Sequence, residues 1–221
     1  MISKITSTIR QTDSFSYIQQ ETLHLTPQSL VIFDIDDVLI TAKDYVLRGS
    51  HKNNWLDNYF NTPFSPEEAL HLSSHVWTTY KTEITDTHVA YFNEDLKTRG
   101  IPSIALTAGW NGSMAGRVSH CDDRIHALKN VGIDFSYSFP RIPETFFSGF
   151  HNCGKVPSFK GGVIFSCMLA KPGVLDAFLK IAQFDPDQII FIDDILDNLD
   201  NMQDYCFEKK IPYHGFHYLG V

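Results

Sequence analysis

Three stretches of this chain are apolar almost throughout and stop abruptly at an acid or a hydroxyl: residues 29–34 (SLVIFD), 101–107 (IPSIALT) and 188–193 (QIIFID). Short runs of this kind, rich in β-branched residues, suit strands buried on both faces of a parallel sheet. Lesser runs at 162–166 (GVIFS) and 211–217 (IPYHGFH) are read as further strands. Segments of helical period lie between them. Thr87 is placed to N-cap a helix through Lys97 that closes at Gly100, and Arg124 to Asn130 closes at Gly132. Pro172 opens another helix with Val174, Leu175, Phe178, Leu179 and Ile181 on one side, and residues 195–210 form the last. Strands alternating with helices imply βαβ units, so the expected fold is α/β, a doubly wound, mostly parallel sheet covered on both faces.

Residues 45–81 break this rhythm. They are polar and aromatic (Trp55, Tyr59, Phe60, Trp77, Tyr80) and contain Ser65-Pro66-Glu67-Glu68, a capping box with proline at the first helical position. The segment is expected to be a small helical, cap-like insertion over the carboxyl ends of the strands, its aromatics packing as a small core of their own. A looser stretch, residues 137–161, is expected to be a hairpin or long loop.

At 221 residues the chain suits a single domain. A formal net charge of −8 disfavours nucleic acid and anionic membrane as partners. The start is polar, without the apolar core of a secretory signal, so the expected location is the cytoplasm. Cys121, Cys153, Cys167 and Cys206 are irregularly spaced, with no CxxC pattern, and are expected to be reduced and structural. His71 and His75 have i, i+4 spacing without an acidic third ligand nearby and are assigned to a surface helix; His214 and His217 are also taken as structural.

Ligands of open α/β sheets sit beyond the carboxyl ends of the strands. Here those ends carry Asp34 to Asp37, Thr107, and Asp193 with Asp194. Carboxylates converging there repel unless a cation offsets them, and a set of hard oxygen donors selects Mg²⁺.

The segment Val31-Ile-Phe-Asp34-Ile-Asp36-Asp37-Val38-Leu39 resembles the first motif of the haloacid dehalogenase (HAD)-like hydrolase superfamily. Three further segments, in the family's order, are similar to its other motifs: Ile104 to Thr107, Lys171 to Leu175, and Ile190 to Asp194. The resemblance spans about residues 31–197 and implies a HAD-like, Rossmannoid phosphatase. It makes Asp34 the nucleophile that forms an aspartyl-phosphate, and Asp36 the acid that protonates the leaving oxygen and then activates water. A carboxylate at the position of Asp36 separates the superfamily's phosphatases from its dehalogenases. Thr107 and Ala108 would bind the phosphoryl group, and Lys171 would offset charge on nucleophile and phosphate. Asp34, the Asp36 main-chain carbonyl and Asp194, with Asp193 as its rival, would hold Mg²⁺. Lys160 is the alternative to Lys171 but fits a single helical connection to Asp193 less well.

The closer resemblance is to a bacterial HAD group met in intracellular pathogens such as Legionella and Coxiella relatives, through Lys171-Pro-Gly-Val-Leu175, Phe178-Leu179 and residues 189–199. Pro172, Trp110 and Ile195 depart from its pattern and bear on substrate rather than chemistry. The implied partner is a phosphorylated substrate: a phosphoprotein, phosphotyrosine included, or a small phosphate ester. The same resemblance raises translocation into a host cell. The reading from another class is a catalytically silent HAD-like binding module, and a phosphotransferase such as a mutase is the third.

Overall fold

Each strand residue sends its side chain to the face opposite that of its neighbour, and in this protein both faces are covered. The computed structural model describes residues 6–48, 64, 65, 68, 76, 80–112 and 119–221. Its elements, from the amino end, are β1 (Ser7–Thr12), α1 (Phe15–Glu21), β2 (Leu30–Phe33), β3 (Ile40–Ala42), β4 (Thr82–Ile84), α2 (His88–Thr98) and β5 (Ser103–Thr107). They continue with α3 (His120–Asn130), β6 (Thr145–Phe146), β7 (Ser158–Lys160), β8 (Val163–Phe165), α4 (Lys171–Ala182), β9 (Ile189–Asp193), α5 (Leu196–Lys209) and β10 (Tyr213–Tyr218). Among the described residues the main sheet has the order β1-β10-β9-β2-β5-β8-β7-β6. It is parallel from β1 to β8, with β7 and β6 added antiparallel.

The alternation assigns the layers. Leu30 and Ile32 of β2, Ile104 and Leu106 of β5, and Ile189 and Phe191 of β9 pack with Val174, Leu175 and Phe178 of α4 and Leu199 and Met202 of α5. Val31 and Phe33, Ala105, and Ile190 and Ile192 face the other way, against Phe15 and Ile18 of α1, Val89, Phe92 and Leu96 of α2, and Leu128 of α3. The helices thus form one layer of α1, α2 and α3 and a second of α4 and α5. Burying each large aliphatic or aromatic side chain in these two cores contributes roughly 1.5–3 kcal/mol.

The five expected strands are present, within a residue or two of the expected bounds. The 137–161 stretch contains β6 and β7, and β7 turns into β8 through Gly161 and Gly162, whose φ values of 57° and 84° suit the two-residue turn that matches strand twist. A Cβ at Gly162 would also collide with the Phe135 carbonyl. Three details differ from expectation. Thr87 makes no side-chain cap; Asp86 does the work, accepting from the His88 N–H through Oδ1 at 2.8 Å and from the Phe15 N–H through Oδ2 at 3.1 Å. Ile181 is 45% exposed, because it lies off the stripe of α4 that faces the sheet, which runs through Val174, Leu175, Phe178 and Leu179 to Ala182. The helix expected from Arg124 begins four residues earlier, at His120.

At the neck of the insertion β3 and β4 pair antiparallel, with Ile40 opposite Ile84, which brings its two ends together. The capping box is formed at its described positions: the Ser65 N–H donates to Glu68 Oε2 at 2.8 Å and the Glu68 N–H to Ser65 Oγ at 3.3 Å. Trp55, Tyr59, Phe60, His71, His75 and Trp77 lie outside the described residues. All four cysteines are free, Cys153 exposed and the other three buried. No helix among the described residues is long and apolar enough to cross a membrane.

Candidate functional site

The alternation that layers the sheet also aims its last residues. Phe33 of β2 stands level with Ile192 of β9, so Asp34 and Asp193, each one step further on, lie abreast and turn to the α4 and α5 side. The Asp34 N–H donates to the Ile192 carbonyl at 2.9 Å, holding the strands together up to the acids. Lys171, the first residue of α4, reaches both: its Nζ is 2.5 Å from Asp34 Oδ1 and 2.6 Å from Asp193 Oδ2. The lysine and both acids are buried.

Asp193 has further obligations. Its Oδ1 accepts the Ile195 N–H at 2.8 Å, and the Asn198 side-chain amide lies 3.1 Å from both its oxygens, so it also organises the start of α5. The main-chain carbonyl of the neighbouring Asp194 meets His217 Nε2 at 2.9 Å. His217, taken as structural from sequence, therefore buttresses the acid pair.

Burial pushes the Asp34 carboxyl well above its ordinary range, and although Lys171 opposes this, the charges of Asp193 and Asp194 add to it. Asp194 is pushed to about 7 by burial, with Asp193 and Asp37 contributing. For Lys171 burial alone would favour the neutral amine, but attraction to Asp34 and Asp193 outweighs it, and the ammonium holds its proton more firmly than usual. One lysine against three acids leaves negative charge uncompensated. Among the described residues no three His, Cys, Asp or Glu side chains are gathered as ligands about one point.

Thr107 ends β5 on the opposite side of the sheet from Asp34, toward α3. Its Oγ1 accepts the Gly109 N–H at 3.0 Å, a local backbone role that leaves the hydroxyl hydrogen available to an acceptor. The loop after it is tied to the turn leading into α4. Ser166, Cys167 and Met168 donate their N–H groups to the carbonyls of Thr107 (2.9 Å), Gly109 (3.1 Å) and Ala108 (2.8 Å). Cys167 and Met168 adopt left-handed φ values of 53° and 61°, a local cost that fixes the approach to Lys171. Lys160 is elsewhere, paired with Asp122 at 2.7 Å and Glu144 at 3.4 Å.

Asp36 has other partners among the described residues. Asp37 follows in a left-handed conformation, φ 63°, and its Oδ1 accepts the Thr41 hydroxyl at 2.6 Å, which shapes the turn. The partner of Asp36 comes from α3: Arg124 Nη2 lies 3.2 Å from Asp36 Oδ1. The Tyr80 hydroxyl donates to the same oxygen at 3.3 Å and accepts from Arg124 in turn. For Arg124, burial works against the charge, but Asp36 and Tyr80 more than restore it. His120, at the start of the same helix, is buried beside them; burial first and Arg124 second depress its pKa.

Sequence reasoning missed Tyr80, His120, Arg124 and Asn198 as members of the site. Only Asn198 carried a local signal, an amide in the first turn of the helix that follows the acid pair. Tyr80 and Arg124 are 44 residues apart, and no pattern along the chain links them.

An acidic cluster bridged by a buried lysine at the carboxyl ends of adjacent parallel strands defines an α/β protein whose candidate site lies where such sheets bind ligands. Residues 11–221 match the family model described as "Protein of unknown function (DUF2608)", and the chain belongs to that family. It is similar to an uncharacterised protein of Rickettsia felis, 23% identical over 234 residues that cover 98% of this chain and 74% of the relative. A relative from Rickettsia conorii gives 23% over 235 residues with the same coverages, 98% and 74%. One from Rickettsia bellii is 24% identical over 144 residues, 63% of this chain and 49% of its own length.

Proposed function

We propose that this chain is a Mg²⁺-dependent phosphomonoester hydrolase of HAD-like type that works through an aspartyl-phosphate at Asp34. The observation that carries the reading is the buried bridge from Lys171 to Asp34 and Asp193, beside Asp194 and one strand away from Thr107. A carboxylate at a strand end, supported by an ammonium and with a hydroxyl at the end of the next strand, suits in-line attack on phosphorus, which depends on positioning and charge stabilisation.

The residues fit a magnesium ion, since the donors are hard oxygens, and the carboxyls of Asp34 and Asp194, raised first by burial and further by neighbouring acids, are groups whose charged form a divalent cation would favour. Asp34, the Asp36 carbonyl and Asp194 would hold it, with water completing the shell. Asp193 is the weaker candidate, because Lys171, Asn198 and the Ile195 N–H already occupy its oxygens. When bound, the ion would supply charge neutralisation at the phosphoryl group. Lys171 restrains Asp34, the Thr107 hydroxyl would donate to a phosphoryl oxygen, and Asp36 protonates the departing oxygen and then takes a proton from water.

The substrate class favoured is a phosphorylated protein side chain, phosphotyrosine included, with a small phosphate ester as the alternative; the Asp36 side chain is 30% exposed, which suits an open site. The test is a screen of the purified chain with Mg²⁺ against phosphopeptides, phosphometabolites and an aryl phosphate. Phosphate release that disappears in Asp34→Asn supports the reading. No release from any of them rejects it in favour of a binding module.

A further inference from the structure

Building on that reading, we infer that Arg124 and Tyr80 are positioning residues for Asp36. The two charge systems of the site are served from opposite layers of the fold. Lys171 rises from the α4 side to Asp34 and Asp193, whereas Arg124 rises from the α3 side to Asp36, with Nη2 3.2 Å from Oδ1. Strand β2 ends at Phe33, so Asp36 is no longer held to the strand's alternation.

Three contacts close a triangle. Arg124 pairs with Asp36, Arg124 donates to the Tyr80 hydroxyl, and Tyr80 donates to Asp36 Oδ1 at 3.3 Å. The guanidinium also lies over the Tyr80 ring, 5.0 Å from its centre, so the phenol is held by its face as well as its hydroxyl. An ion pair and a hydrogen bond that converge on one carboxylate oxygen restrain the plane of the acid more than either contact alone.

Stability alone does not account for this arrangement. The Arg124 side chain is only 5% exposed, and its Nε is buried without a hydrogen-bond partner among the described residues. A buried cation with an idle donor is costly compared with apolar packing of the same volume. A carboxylate that must present a proton at a fixed point benefits from it. Tyr80 lies at the carboxyl end of the insertion, its N–H bonded to the Val76 carbonyl at 3.0 Å, and Lys81 next to it bonds to Lys43 across the β3–β4 neck.

The test compares Tyr80→Phe and Arg124→Lys with Asp36→Asn on p-nitrophenyl phosphate and on an alkyl phosphate such as phosphoserine. Protonating the leaving oxygen matters for the alkyl ester and little for the aryl one. The expected result is a loss of kcat at least about tenfold larger on the alkyl than on the aryl ester in each variant, with KM little moved. Neither change should add further loss in an Asp36→Asn background. Tyr80→Phe, which removes one oxygen, serves where Arg124→Lys disturbs folding. Equal losses on both esters, or losses that multiply with Asp36→Asn, overturn the positioning role while leaving the phosphatase reading intact. A wild-type chain inactive on both esters overturns that reading and the inference together.

Discussion

The Lys171 ammonium and the Asp34 carboxylate meet at 2.5 Å in the interior, although 137 residues separate them along the chain. Removing one member of such a pair leaves a buried charge without compensation, at a cost of about 3–5 kcal/mol. Lys171→Met should therefore lower the unfolding free energy by about that amount and abolish turnover. Asp34→Asn should also abolish turnover, because an amide cannot attack phosphorus, yet leave the fold in place, since Asp193 still pairs with the lysine. Circular dichroism and denaturant titration measure the first difference, and phosphate release the second. A Lys171→Met chain as stable as wild type would show that the pair is not holding the strand ends.

The two neighbouring acids should separate by phenotype. Asp194→Ala is expected to raise the Mg²⁺ concentration needed for half-maximal activity with little change in melting temperature. Asp193→Ala should instead destabilise the chain, because Asn198 and the Ile195 N–H lose this acceptor and Lys171 loses one of its two. Activity is expected to vanish in EDTA and to fall when Ca²⁺, with its longer and more numerous bonds, replaces Mg²⁺. Full turnover after exhaustive chelation would remove the metal from the reading.

Asp86 ties α2 to α1 through its two oxygens. Asp86→Ala should cost about 1 kcal/mol for the lost cap, with more for the freed Phe15 N–H, whereas Thr87→Ala should be nearly silent. Thermal unfolding of the two variants decides between them; equal effects would restore Thr87 as the cap.

His120 connects the site to pH. Burial and the Arg124 charge hold its pKa below the ordinary value of 6.5, so folding favours the neutral ring. Its contribution to stability is then complete above that value and is lost as pH falls below it, when the unfolded chain gains a proton that the folded chain resists. The melting-temperature difference between wild type and His120→Gln should shift against wild type between about pH 7 and pH 5. A difference that does not change with pH would mean that the ring is not protected from protonation.

Much of the sheet was legible because burial on both faces makes β2, β5 and β9 continuous apolar runs whose ends coincide with Asp34, Thr107 and Asp193. The helix from Lys171 was legible through Pro172 and the spacing of Val174, Leu175 and Phe178. β1 was not: Ser7–Thr12 is an edge strand, half-exposed along its length, and lacks such a run. α1 follows it with two buried residues, Phe15 and Ile18, although Ser14, whose Oγ accepts the Tyr17 N–H at 3.4 Å, offered a start signal. The candidate site divided in the same way. Acids at strand ends can be found by where runs stop, whereas Arg124 and Tyr80 acquire their partner only when α3 and the β3–β4 neck come together.

The edge strand β1 also sets an order of events during synthesis. Its parallel partner is β10, with Ser7 opposite Tyr213 and Thr12 opposite Tyr218, so two strands whose paired residues lie 206 positions apart along the chain are hydrogen-bonded to each other, and β1 is made well before β10. Loop closure over such a span is entropically slow and comes late. Until it does, an incomplete chain carries β1 without a partner, and the sheet stays open on the β9 side; ribosome-bound chains halted before residue 213 are the state in which self-association and proteolysis have their opportunity.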